Sequence, residues 1–206
     1  MRRNKVVMIA VALCFVGTSS IFGQVHDRFE NICPVLQNSV PPDLLQYLNG
    51  VKADEQNAWC IVWSIHQLGS AHYANSVAIL VKFLDFRRPP TPLEKLGFYV
   101  RMQITEELFP AAEALELIGD AALPEVSHVI ERDSSSATTR ENAIAVWIEA
   151  YKYERPRGIA LLKQEEMRSN DAEAKEQLRR AMVKALAYCG PLEVAACKAA
   201  TQNGAF

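Results

Sequence analysis

The sequence predicts an all-α protein, and three features of its 206 residues lead to that prediction. From about residue 54 to residue 200, apolar residues recur every three or four positions, as they do along one face of a helix. No segment shows the sustained alternation of apolar and polar residues that marks a half-buried strand. The Asn-Gly pairs at 49–50 and 203–204 end helical or terminal segments, so neither joins two strands of a hairpin.

Capping residues and glycines mark where the helices start and end. Gly50 can end a short helix, and Asp54 can cap the next one. Capping boxes, with Glu three residues after the capping residue, are predicted at Thr91, Thr138 and Asn170. The predicted helices cover residues 43–49, 54–68, 74–86, 91–104, 105–119, 121–132, 138–151, 156–168 and 170–189, followed by an Ala-rich helix that ends near residue 200.

The first 23 residues have the three parts of a secretory signal peptide. Arg2, Arg3 and Lys5 form a basic head, the apolar segment 6–16 follows, and small residues lead to a cleavage site after Gly23. The apolar segment is too short for a bilayer, because a helix rises about 1.5 Å per residue and the hydrocarbon core is about 30 Å thick. We therefore expect an exported protein, periplasmic or secreted, without a stable membrane span.

Export would change the charge of the chain. Cleavage removes three basic residues and leaves 19 Lys and Arg against 24 Asp and Glu, a net charge of −5. Nucleic acids and anionic membranes are bound through basic surfaces, so this charge argues against both as partners. About 180 residues remain, which suffices for one domain with a hydrophobic core.

Equivalent helix ends recur along the chain. Apolar final turns precede Gly69, Gly119 and Gly190, and the last two of these glycines are 71 positions apart. A helix end near Tyr151 divides that interval into two steps of about 35 residues. Repeats of about 20–50 residues are typical of a solenoid of stacked helical hairpins, whose neighbours bury a continuous core.

The stretch Ala111 to Pro124 resembles a HEAT repeat, because an Ala-rich helix ends in an Ile-Gly step and the next helix starts with Ala-Leu-Pro. Asp133 and Arg140 are similar to the family's Asp between helices and the Arg that opens the second helix. The resemblance covers residues 74–200, most clearly 107–190. It implies a short right-handed α-solenoid of antiparallel helical hairpins with a concave binding surface.

The chain then divides into a signal peptide (1–23), an irregular N-terminal lead-in with a capping helix (24–53), a HEAT-like α-solenoid (54–200) and a C-terminal tail (201–206). The segment 87–105 departs from the family, because a Pro-rich turn and an extra helix lengthen one unit to about 50 residues. The expected core includes Leu115, Ile118, Val126, Ile144 and Leu178.

No catalytic or metal motif outweighs a structural interpretation of the same residues. His66 and His72 are six positions apart across a helix break, whereas two ligands on one helix are expected at i and i+4. No serine lies in GxSxG, and no phosphate-binding glycine motif is present. The sequence thus predicts no catalytic residue, cofactor or metal. Trp59 and Trp63 share a helix face, which either packs or forms an exposed binding patch.

These observations favour a non-catalytic protein-interaction or scaffold module of the cell envelope or the extracellular space. An unidentified protein partner is expected on the concave face. A Pro-rich insertion is normally displayed on the surface, so Arg87 and Arg88 are candidate partner-binding residues, together with Arg140. The alternatives are a HEAT-like lyase or its subunit, for which no residue carries the chemistry, and a purely structural helical repeat.

Four cysteines remain after cleavage, and an even number in an exported chain permits disulfides. In a solenoid the two ends are farther apart than the ~4.4–6.8 Å Cα separation of a disulfide. The expected pairs are therefore Cys33 with Cys60 and Cys189 with Cys197. Free buried cysteines are the alternative.

Overall fold

The computed structural model describes residues 33–95, 108–132 and 135–203. The chain divides into two compact units, Met1–Asn38 and Ser39–Phe206. Of the first unit, residues 33–38 are described, and they contain the 3₁₀ turn Pro34–Leu36. The predicted signal peptide lies outside the described residues, as do Asp133 and the predicted helix residues 96–107.

The described part of the second unit consists of helices and turns. No strand occurs in residues 39–95, 108–132 or 135–203, so the predicted all-α class is confirmed. The helices are α1 (Pro41–Gly50), α2 (Ala58–Ser70), α3 (Val77–Leu80), α4 (Pro92–Lys95), α5 (Pro110–Ile118), α6 (Leu123–Glu131), α7 (Ala137–Ala150), α8 (Arg155–Arg168), α9 (Ala172–Ala187) and α10 (Val194–Asn203). A 3₁₀ turn, Gly119–Ala122, joins α5 to α6, and the turns Ala74–Ser76 and Val81–Phe83 flank α3.

The main helix packings form a series. Helix α1 packs on α2, α2 on α5, α5 on α7, and α7 on its hairpin partner α6. The series continues from α6 to α9, from α9 to α8 and from α8 to α10. The α6–α9 packing joins two hairpins that are adjacent in the chain, α6–α7 and α8–α9.

The predicted core is mostly confirmed. Leu115, Val126, Ile144 and Leu178 are all buried. The prediction for Ile118 was wrong, since its side chain is half-buried. Ile118 is the last residue of α5, where the chain turns away through a glycine in the left-handed region, so only part of the side chain is covered.

Two of the three predicted capping boxes were placed wrongly. The N-cap of α7 is Ser136, whose hydroxyl accepts a hydrogen bond from the Thr139 N–H at 3.0 Å. The N-cap of α9 is Asp171, which accepts from the N–H groups of Glu173 and Ala174 at 2.7 and 3.2 Å. Ser and Asp accept bonds from these orphan donors at the start of a helix without needing a Glu three residues later.

Two of the recurring glycines have different roles. Gly119 follows the last residue of α5 with φ 72°, a left-handed conformation that glycine adopts without strain. Gly69 was predicted to stop a helix, but α2 continues through it to Ser70. A Cβ at Gly69 would lie 2.7 Å from the Ala114 Cα, so this glycine allows α2 and α5 to approach closely.

Gly69→Ala is expected to destabilise the protein by about 1–3 kcal/mol, because the new methyl group would have to displace the α5 backbone. Gly50→Ala is the matched control, since a Cβ there meets nothing within 4 Å. Urea unfolding followed by circular dichroism measures both. Equal stability of the two variants would mean that the α2–α5 contact is not this close.

A disulfide joins the end of α9 to α10. Cys189 and Cys197 are bonded with their Cα atoms 6.7 Å apart, which confirms this predicted pair. Cys33 and Cys60 are also disulfide-bonded, and their pairing with each other stays a prediction. Among residues 194–202 of α10, the side chains of Cys197 and Ala200 are the buried ones, so little apolar area holds this helix in place.

Cys189→Ser should therefore loosen α10. Because the Cys189 side chain is half-exposed, replacing it with Ser removes little packing, and the main effect is the loss of the disulfide. A ten-residue helix such as α10 is only marginally stable without such a link. Hydrogen exchange of the amides in Val194–Asn203 should become at least about tenfold faster, while exchange in α5 stays unchanged. Unaltered protection of α10 would show that packing alone holds it.

Candidate functional site

A half-open cleft of about 980 Å³ lies between the start of α2 and the segment around α4. Two walls form it. The α2 wall contains the lining residues within 53–59, and the insert wall contains those within 86–95 together with Leu108. The lining residues are Ala53, Asp54, Glu55, Ala58, Trp59, Phe86, Arg87, Arg88, Pro89, Pro90, Glu94, Lys95 and Leu108.

The α2 wall is shaped by a capped turn. One carboxylate oxygen of Asp54 accepts hydrogen bonds from the backbone N–H and the side-chain amide of Asn57, at 3.1 and 3.0 Å. Asp54 therefore caps the turn that leads into α2, whose first helical residue is Ala58. This turn places Glu55 at the surface of the cleft and Trp59, which is half-buried, in its side.

The insert wall is held by an ion pair. The Arg88 guanidinium donates two hydrogen bonds to the Glu94 carboxylate at 2.8 and 2.9 Å, and a third to the Pro89 carbonyl at 3.1 Å. The backbone N–H of Arg88 donates to the Leu108 carbonyl at 2.9 Å, which joins the two described ends of the insert. A bidentate pair of this kind fixes both side chains.

The capping box predicted at Thr91 is confirmed and uses the same carboxylate. The Thr91 N–H donates to Glu94, and the Glu94 N–H donates to the Thr91 hydroxyl oxygen at 3.3 Å. The hydrogen bonds from Arg88 and from the Thr91 N–H lower the pKa of Glu94 from 4.5 to about 2, although burial opposes them. Glu94 thus stays ionised and keeps the wall together over the physiological pH range.

The structure separates the three arginines predicted to bind a partner. Arg87 is exposed and lines the cleft, as the hypothesis requires. Arg88 also lines the cleft, but its side chain is only 16% exposed and is committed to Glu94. Arg140 is not among the lining residues. It donates to the Arg132 and Ser135 carbonyls at 2.9 and 3.4 Å and so holds the connection between α6 and α7.

The three tryptophans also differ in their positions relative to the cleft. Trp147 is buried and donates from its ring nitrogen to the Gly158 carbonyl at 3.2 Å, which is a packing role. Trp59 and Trp63 are both half-buried, and Trp59 alone of the two lines the cleft. The sequence indicated the shared helix face of these two residues but not that Phe86 would lie across the cleft from it.

His66 and His72 both lie at contacts between α2 and α5. His66 Nδ1 lies 3.2 Å from a Glu113 carboxylate oxygen, between α2 and α5. Burial lowers the pKa of His66, and Glu113 acts against this shift. His72, at φ 48°, hydrogen-bonds through Nδ1 to the Leu117 carbonyl at the end of α5. In the described part of the chain, no three His, Cys, Asp or Glu residues could hold a metal ion.

Comparisons of the chain with protein-family models, with curated proteins and with solved structures find no match. The resemblance to HEAT repeats therefore stays a prediction from the sequence. Of the helices in the described ranges, none combines the length and the apolar character needed to cross a membrane.

The pKa of Glu94 predicts how stability depends on pH. A carboxyl group whose folded pKa is about 2, below 4.5, adds stability above pH 4.5 that is lost as the pH falls toward 2. Glu94→Gln should therefore cost about 1–3 kcal/mol near pH 7, and the difference from the wild type should shrink between pH 4.5 and 2. Urea unfolding at several pH values measures it.

Glu149→Gln is the control, because Glu149 pairs with Lys152 on an open surface, where such pairs contribute little. A Glu94→Gln deficit that stays constant from pH 7 to pH 3 would contradict the predicted role of the ionised carboxylate.

Proposed function

We propose that the chain is an exported, non-catalytic interaction module, built as a short right-handed HEAT-like solenoid, that binds a protein partner in the cleft between the α2 wall and the insert wall. The observation that carries the proposal is the cleft itself. It combines aromatic and proline side chains, Trp59, Phe86 and Pro89, with an exposed arginine, Arg87, in an open groove. Aromatic and arginine side chains are enriched where proteins bind one another.

Contacts between helix ends support the solenoid. The bond from His72 to the Leu117 carbonyl brings the end of α2 to the end of α5. Helix α7 packs on the same α5, and the charge of Asp120, just beyond α5, contributes with burial to the raised pKa of Tyr151 at the end of α7. Three C-terminal helix ends at one edge are what equivalent helices of stacked hairpins produce.

The cysteines support the proposed export. Cys33, Cys60, Cys189 and Cys197 are all disulfide-bonded, and disulfides persist in oxidising compartments such as the periplasm or the extracellular space. Both the basic head and the short apolar segment at the N-terminus fit the same interpretation.

Export predicts a processed N-terminus. N-terminal sequencing of the mature protein from its native source should give a chain that starts between residues 21 and 25. Recovery of the intact chain, starting at Met1, from the membrane fraction would contradict export with cleavage.

Filling the cleft should abolish partner binding. Ala53 is exposed and lies on the α2 wall outside a helix, so Ala53→Trp places a bulky side chain in the cleft without removing a packing contact. Capture of partners from the native envelope and secreted fractions should lose the bound protein that the wild type retains. Ala187→Trp, at an exposed position on α9, is the control for an added surface tryptophan. Equal capture by both variants would remove the cleft as the binding site.

A further inference from the structure

We infer that the cleft recognises an extended peptide segment of the partner that carries opposite charges at its two ends. A basic residue of the segment faces the α2 wall, an acidic residue faces the insert wall, and apolar side chains lie between them. This inference rests on the proposed function and names the kind of partner surface that the cleft accepts.

The two walls differ in the sign of their charge. The α2 wall contributes Asp54 and Glu55 and no basic residue, which gives it a formal charge of −2. The insert wall contributes Arg87, Arg88 and Lys95 against one acidic residue, Glu94, which gives it a formal charge of +2. The formal charges of the two walls cancel, so the cleft as a whole is neutral. An electric field nevertheless runs from the positive insert wall to the negative α2 wall.

Each wall carries exposed charged groups, Glu55 on the α2 wall and Arg87 and Lys95 on the insert wall. Asp54 caps its own turn, and Arg88 with Glu94 forms the internal ion pair. Glu55 and Lys95 are both exposed, and within the part of the chain that the structure describes neither has an ion-pair partner. These two side chains are the groups most able to pair with charges on a bound molecule.

The surface between the charged groups is apolar. Trp59 lies on the α2 wall, and Phe86, Pro89 and Pro90 lie on the insert wall. Aromatic-lined grooves bind extended, proline-containing segments by contact with their side chains. The cleft is also about half open to solvent, whereas small-molecule pockets enclose about 70–90% of their ligand. Both properties favour a segment of polypeptide that crosses the cleft from one wall to the other.

The opposed walls would also reject other peptides. A segment of uniform charge gains attraction from one wall and meets repulsion from the other, so its net electrostatic gain is small. A segment with separated basic and acidic residues is attracted by both walls. The cleft therefore selects for the arrangement of charge on its ligand more than for net charge.

Fluorescence anisotropy with synthetic octapeptides and the full mature chain tests this. The first probe has two Arg at one end, Pro-Leu-Pro-Leu in the centre and two Glu at the other end. In the basic probe Gln replaces both Glu, and in the acidic probe Gln replaces both Arg. Glu55→Lys should weaken the basic probe about three- to tenfold without weakening the acidic probe, and Lys95→Glu should do the reverse.

Glu125→Lys and Lys198→Glu are the controls, since they reverse single charges on α6 and α10, away from the lining residues. They should leave all three affinities unchanged. Circular dichroism confirms that each variant is folded. Raising the salt concentration should weaken the probe with both charges, because exposed charges are screened.

Three results would overturn the inference. The affinities of the basic and the acidic probe could change equally in Glu55→Lys and in Lys95→Glu. Alternatively, no probe could bind at millimolar concentration. A photo-crosslinker at position 55 could also react only with residues 96–107 of the same chain, which would make that segment the occupant. If Ala53→Trp still abolishes capture of the native partner, these results remove only the charge-based recognition. If capture is also unaffected, the proposed function fails as well.

Discussion

The close approach of α2 and α5 is the constraint on which the rest of the fold depends. Gly69 has no side chain where the Ala114 backbone passes, and the buried face of α5 is built from alanines and Leu115. Small side chains let the two helix backbones come together, and close packing then gains dispersion contacts along both helices. Since α7 packs on the same α5, the position of α5 also decides where the later helices begin.

This contact is also the reason that a cleft exists. The chain leaves α2 and returns to α5 beside it, and described residues between the two helices form the insert wall. Two hydrogen bonds hold this part of the chain. Asn142 on α7 donates to the Leu84 carbonyl at 2.6 Å, just before the insert wall, and within the wall the Arg88 N–H donates to the Leu108 carbonyl. The first bond is buried, and it satisfies a carbonyl that would otherwise lose its hydrogen bond to water.

Sequence patterns predicted the local features and missed those that depend on tertiary contacts. The box at Thr91 was predicted correctly because both of its hydrogen bonds lie within four residues. The roles of Gly69 and Arg88 could not be predicted from local sequence patterns. A glycine near a helix end suggests a stop, and only the packed structure shows a neighbouring backbone. An arginine in a Pro-rich insert suggests exposure, and only the folded turn brings Glu94 to its guanidinium. The insert was thus predicted as part of the site, while on the α2 wall the sequence singled out only Trp59, on a helix face that either packs or binds.

The fixed walls bear on how such a cleft can bind. Ordering loops and side chains on association costs free energy, about 0.5–1.5 kcal/mol for each long side chain that is immobilised. Here the Arg88–Glu94 pair and the capped turn at Asp54 already hold the walls before any partner arrives. Only exposed groups such as Glu55 and Lys95 would lose freedom on binding. If a short peptide segment binds there, the ordering cost on the side of the cleft is therefore small, because most of that ordering has taken place during folding.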